Sequence, residues 1–147
     1  MEILIQEAAF DPGAALNSFT AGSTGAGAVV SFSGLVRDEE GRLKALEIEH
    51  YPAMTERAIG GIVAEAQARW QLNNVLVIHR FGLLQVGEPI MMVATAARHR
   101  AQAFAAADFL MDYLKSRAPF WKKEISPEGT AWVAARDSDE DALKRWS

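Results

Sequence analysis

The sequence predicts an α+β fold, a mostly antiparallel β-sheet with two long helices packed on it. Three observations predict it. Two long segments, about 53–70 and 99–116, read as helices, with Pro52 opening the first and Pro119 barring continuation of the second. The other apolar runs are short, rich in β-branched and aromatic residues, and joined by tight turns. No internal repeat, low-complexity tract or linker divides the 147 residues, so residues 1–147 are expected to form one domain, with a polar tail from about 137 to 147.

In order, "MEILIQ" reads as a first strand. "DPGAALNSF" follows as a short helix with Asp11 as N-cap and Pro12 at its first position. "AGSTGAG" is a glycine-rich loop. It precedes a strand, whereas phosphate-cradling loops follow one and open a helix, so a surface loop is the better reading. "AVVSFSGLVR" reads as a buried strand. "DEEGR" is a turn with Gly41 at positive φ, and "LKALEIEHY" alternates, with Leu46, Ile48 and His50 on one face. These two strands are expected to pair as a hairpin. In the first long helix, Gly60-Gly61 predicts close packing by a neighbour. "NNVLVIHRFGLL" and "EPIMMVATAA" are strands joined across "QVG". After the second long helix, "FWKKEIS" and "TAWVAA" are strands about the turn "PEG", and "DSDEDALKRWS" can close a short helix.

Half of the residues are apolar and 23% are charged, as in an ordinary globular protein. No cysteine is present, which excludes disulfides, thiolate metal sites and a cysteine nucleophile on this chain. The three histidines lack the close pairing of a helical zinc motif, so neither a metal nor a cofactor is expected. "MEILIQEAAF" does not read as a signal peptide and no run is long enough to span a membrane, so a cytoplasmic, soluble protein is expected. The net charge of −4 argues against a general nucleic-acid binder.

Against that acidic background, Lys115, Arg117, Lys122 and Lys123 crowd into "KSRAPFWKK", around Pro119 and two aromatics. On a helical wheel, Lys115 and Met111 fall within about 20° of Phe104. A lysine beside an apolar stripe can be partly desolvated and become a nucleophile or base; alternatively its stem packs and its ammonium reaches water. Strand alternation sends Lys122 and Lys123 to opposite faces, so only one can share a pocket with Lys115, walled by Phe120 and Trp121. Such a pocket suits a flat anionic ligand or a peptide carboxylate.

His50 and His79 lie in predicted strands and read as structural. His99 opens the second long helix between Arg98 and Arg100, where free N–H groups favour anions; a phosphate site and a merely solubilised helix end are both open readings. Arg100 and Lys115 lie about 22 Å apart along that helix, too far for one small ligand. If both serve one site, a second copy of the chain supplies one of them.

Four stretches, "LEIEHYPAMTERA", "VIHRFGLLQVGE", "RHRAQAF" and "FLMDYLKSRAPFWKKEISPEGTAWVAAR", together resemble the catalytic, large subunit of molybdopterin synthase, the MoaE family. The resemblance covers about residues 27–146. It implies an α/β hammerhead-like version of the predicted fold. It also implies an activity: converting cyclic pyranopterin monophosphate into molybdopterin by installing two dithiolene sulfurs. The sulfur would come from the C-terminal thiocarboxylate of a small ubiquitin-like partner, so this chain needs no thiol. A homodimer within a heterotetramer of two large and two small subunits is implied as well.

By the same resemblance Lys115 is the central catalytic lysine and Lys122 the second functional one. Arg37, in "GLVRD", stands near the substrate, with Leu35 and Val36 before it. Lys123 and Glu124 extend the substrate contacts after Lys122, and His99 and Arg100 hold the terminal phosphate from the neighbouring subunit. Arg136, in "AARDS", joins as a candidate for the cationic pocket, with Met111 and Phe120. The turn after Arg37 departs from the family in being short and acidic. Two rival functions remain: a non-catalytic docking module for a ubiquitin-like tail, and a dimeric domain that senses a small anion.

Overall fold

The computed structural model describes residues 1–38, 41–133 and 137–147. Its centre is β6 (Pro89–Ala97), buried from Ile90 to Ala97. A strand with no exposed face needs cover on both sides and neighbours on both edges. β4 (Asn74–Arg80) lies antiparallel on one edge and β2 (Ala28–Leu35) antiparallel on the other, while β1 (Glu2–Gln6) runs parallel outside β4. Alternate residues feed two apolar layers. Leu76, Ile78, Met92 and Ala94 face Phe19 of α1 (Pro12–Ala21), and Val75, Val77, Met91 and Val93 join the main core. Asp11 caps α1 as predicted, its Oδ1 accepting from the N–H groups of Gly13 and Ala14 at 2.9 and 3.3 Å.

The main core is closed by two packed helices, α2 (Pro52–Trp70) and α3 (Arg100–Ser116). α2 contributes Ile59, Ile62, Val63 and Ala66; α3 contributes Phe109, Leu110 and Leu114. Beside them sits a second, fully antiparallel sheet in the order β5 (Gly82–Gln85), β3 (Ala45–His50), β7 (Phe120–Ser126), β8 (Gly129–Trp132). Leu46, Ile48 and Leu84 point from it into the same core. The polar tail folds as α4 (Asp137–Leu143) and a 3-10 turn that docks on α3, where the Arg145 guanidinium and the Trp146 indole both donate to Asp112. None of the described helices is long and apolar enough to cross a membrane.

The α+β class, both long helices and the antiparallel preference are as predicted. Four local expectations are not. The strands at 28–37 and 43–51 do not form a hairpin: β2 pairs with β6 and β3 with β5 and β7, in different sheets. The need of β6 for a second neighbour outweighs the short connection. β2 is consequently an edge strand rather than a buried one, with Phe32 and Leu35 45% and 55% exposed. The run 73–84 is two strands, because Gly82, at φ 88°, turns the chain from the first sheet to the second. Finally, a Cβ on Gly60 or Gly61 would meet nothing within 4 Å, so no neighbour explains that pair.

Gly27 is the opposite case. A Cβ there would lie 2.4 Å from the Arg98 carbonyl oxygen, against the backbone that leads into α3. Gly27→Ala is therefore expected to destabilise the fold by about 1–3 kcal/mol. Gly61→Ala, in an open helical position, is expected to stabilise it by up to about 1 kcal/mol. Urea unfolding of the two variants measures both; opposite signs are the expected result.

Candidate functional site

α3 presents cations at both ends. At its start His99 is the N-cap, extended at φ −129° and making no side-chain capping bond. The first-turn N–H groups and the positive end of the helix dipole therefore stand beside Arg98, His99 and Arg100. With Gly27, Ala28 and Ala101 these residues line an open depression. That arrangement suits a phosphate.

At the other end the helix closes on Arg117, whose N–H donates to Tyr113 O at 2.7 Å and whose guanidinium pairs with Glu140 at 2.7 Å. Ala118 and Pro119 turn the chain into β7. In the register of β7 on β3, Phe120, Lys122 and Glu124 face the side of His50, Ile48 and Leu46. Lys123 and Trp121 face the other side, where the Lys123 ammonium lies 4.6 Å from the ring centroid of Trp132. The two lysines therefore diverge as strand alternation requires, and it is Lys122 that shares a face with Phe120.

Behind Phe120 stands His79 of β4. The two rings stack at 3.7 Å between centroids with 12° between planes. His79 Nδ1 lies 2.8 Å from the Arg80 carbonyl, which can only accept, so Nδ1 carries the hydrogen. Burial pushes the imidazole down to about 4, and the positive charges of Lys122, His50 and Lys115 push the same way, against the bond to Arg80. His50 lies against Phe81 and Phe120, and its Nδ1 is 3.3 Å from Thr55 Oγ1, which donates onward to Pro119 O at 3.5 Å.

The other proposed positions are scattered more widely. Lys115 is exposed, and Phe104 on its stripe is 61% exposed; only Met111 packs against the core. Leu35 and Arg37 are exposed on the far edge of the first sheet, but Val36 between them is a core residue, 3% exposed. Its N–H donates to Glu88 O and its carbonyl accepts from Gly87. Arg136 and the acidic turn residues Glu39 and Glu40 lie outside the described residues. His79, Thr55 and Phe81 were missed as site neighbours. His79 and Phe81 reach Phe120 and His50 where the two sheets meet, and Thr55 reaches Pro119 from α2; the local sequence carries no signal for either.

The model of the family described as "MoaE protein" matches residues 5–117, a span that includes Arg37, His99, Arg100 and Lys115. The chain belongs to the MoaE family. It is similar to the molybdopterin synthase catalytic subunit of Cereibacter sphaeroides, 63% identical over 99% of this chain and 100% of that protein. A solved structure of the molybdopterin biosynthesis MoaE protein from Burkholderia ambifaria superposes with a TM-score of 0.85 at 48% identity, covering 99% and 97% of the two chains. A complex of subunits 1 and 2 of molybdopterin-converting factor from Helicobacter pylori shares the fold, with a TM-score of 0.79 at 20% identity over 91% of each chain.

His79 makes stability pH-dependent. Its folded value lies below the ordinary 6.5, so the unfolded chain binds the proton more readily. The contribution is complete above about pH 6.5 and is lost as the pH falls towards 4, amounting to about 3 kcal/mol at the acid end. His79→Phe cannot protonate. Urea unfolding at pH 7 and pH 4.5 is expected to show a smaller acid loss in that variant than in the wild type.

Proposed function

We propose that the chain is the catalytic subunit of a molybdopterin synthase, a sulfurtransferase. It would take sulfur from the C-terminal thiocarboxylate of a small ubiquitin-like subunit and pass it to cyclic pyranopterin monophosphate. The observation that carries the reading is that Lys122 shares a face of β7 with Phe120, which stacks on a buried uncharged ring just past the turn from Lys115, in a chain whose relatives bear that name. The partner is supported by the Helicobacter pylori complex of two subunits.

Each component fits the chemistry. A thiocarboxylate is an anion on a flexible tail, and an exposed Lys115 beside Met111 can receive it. Seating the tail would strip water from the exposed Lys115. The sulfur attacks a side-chain carbon of the pterin and displaces the oxygen substituent there, the C–O bond breaking as the C–S bond forms and the departing oxygen taking a proton from a lysine; the adduct has sulfur linking partner and substrate. Water then adds to the acyl carbon. The tail leaves as a carboxylate, the sulfur stays on the substrate, and a second charged partner repeats the step. Lys115 and Lys122 stabilise the negative charge on the acyl oxygen and move protons, while docking supplies proximity.

The phosphate of the substrate suits the depression at His99 and Arg100. That depression is about 22 Å along α3 from Lys115, so a homodimer would complete each site with the neighbouring copy. Two large and two small subunits then make the working assembly, in the cytoplasm, without nucleic acid or membrane.

Reconstitution with a thiocarboxylated small subunit and cyclic pyranopterin monophosphate tests the reading. Lys115→Ala is expected to lower dithiolene formation at least about a hundredfold while the small subunit still binds. Normal turnover in that variant would remove Lys115 from the mechanism. A wild type that binds the small subunit and yields no product would favour a docking module. His99→Ala is expected to weaken substrate binding about tenfold or more, through loss of a charge-assisted bond. An unchanged dissociation constant would count against the phosphate role.

A further inference from the structure

We propose that His79 is a positioning residue for this site: its ring is the plate on which Phe120 lies, and through Phe120 it sets where Lys122 stands relative to Lys115. The inference rests on the sulfur-transfer reading for its chemistry. It rests on the seam between the two sheets for its geometry.

The first sheet meets the site at the end of β4, where the ring of His79 stacks on Phe120 of β7. Its orientation is fixed twice, by the Nδ1–H bond to Arg80 O at 2.8 Å and by stacking on Phe120 at 3.7 Å and 12°. Phe120 precedes Lys122 by two residues, so both side chains leave β7 on one face, about 7 Å apart along the strand. The plane of Phe120 thus bears on the path of the Lys122 side chain. On the N-terminal side of Phe120, Pro119 O accepts from Thr55 Oγ1, itself in contact with His50. The turn that joins Lys115 to Lys122 is pinned from α2 and from β4 at once.

The charge state matters as well. A cationic ring here would stand against Lys122, His50 and Lys115, the groups whose fields act on it. A buried uncharged ring avoids that repulsion and offers a flat face that an aliphatic side chain cannot. A merely structural histidine would require only that the volume be filled.

Replacement by leucine and by phenylalanine separates these roles, because leucine fills the space without a planar face and phenylalanine keeps the face. In the reconstituted complex, His79→Leu is expected to lower kcat about tenfold, with the substrate dissociation constant unchanged because His99 and Arg100 are untouched. His79→Phe, the conservative replacement, is expected to recover kcat to within about threefold of wild type. In a Lys122→Ala background the His79→Leu change is expected to cost almost nothing further, since its effect passes through Lys122. Losses that add in the double variant, or a His79→Phe as impaired as His79→Leu, would overturn the proposal.

A second readout needs no turnover. With lysines carrying ¹³C-methyl groups, the NMR signal of Lys122 is expected to move in His79→Leu, where the Phe120 ring on the same face loses its stacking plate, and to stay near wild type in His79→Phe. An unmoved Lys122 signal in His79→Leu would also overturn it. A wild type without product, whose Lys122 signal nonetheless responds to His79→Leu, would refute the sulfur-transfer reading and leave the positioning role standing.

Discussion

The packing of α3 against α2 and the first sheet is the constraint on which the site depends. Phe109, Leu110 and Leu114 are buried in that contact, and Trp146 with Arg145 clamps Asp112 from the outer side. Held on both flanks, the helix cannot rotate or slide without exposing its core face. Its two ends are therefore fixed points: an open cationic depression at His99 and an exposed lysine at Lys115. A rigid rod of this length keeps the two cationic ends about 22 Å apart on one chain, so in the proposed reading a second copy supplies the missing half.

The second fixed feature is the seam between the sheets. β4 and β5 are one continuous run of sequence that changes sheets at Phe81 and Gly82, and β7 enters the second sheet directly after the Pro119 turn. These two crossings bring His79 and Phe120 face to face. The buried ring is held uncharged chiefly by its burial. Lys123, by contrast, is carried to the opposite face and onto Trp132, which leaves Lys122 on the face of Phe120.

Much of this was legible in the sequence, and the omissions have a common cause. Asp11 and Pro12 marked α1, Pro52 marked α2, and Pro119 marked the end of α3, because caps and prolines act through local backbone geometry. Strand alternation correctly separated Lys122 from Lys123. The hairpin expected between 28–37 and 43–51 failed because β6, apolar throughout, demanded β2 as its second neighbour. The break at Gly82 was hidden inside an apolar run, and the glycine pair in α2 was assigned a packing neighbour that is not there. The roles given to Lys115, Lys122, Arg37, His99 and Arg100 came from a long and specific resemblance; spacing alone supplied a cationic turn and a helix length. His79 reads as structural in the sequence, where the strand it faces is not visible.

The central claim is that cations from opposite ends of α3, in two different copies, serve one ligand. The direct measurement is complementation. Chains carrying Lys115→Ala are mixed with chains carrying His99→Ala and Arg100→Ala together, subunits are allowed to exchange, and dithiolene formation is followed at limiting substrate. In a mixed dimer one site receives both defects and the other receives neither. Activity near about a quarter of wild type is predicted for a statistical mixture in which each parent alone is nearly inactive. Activity no greater than the sum of the separate parents, with subunit exchange demonstrated, would contradict a site shared between copies.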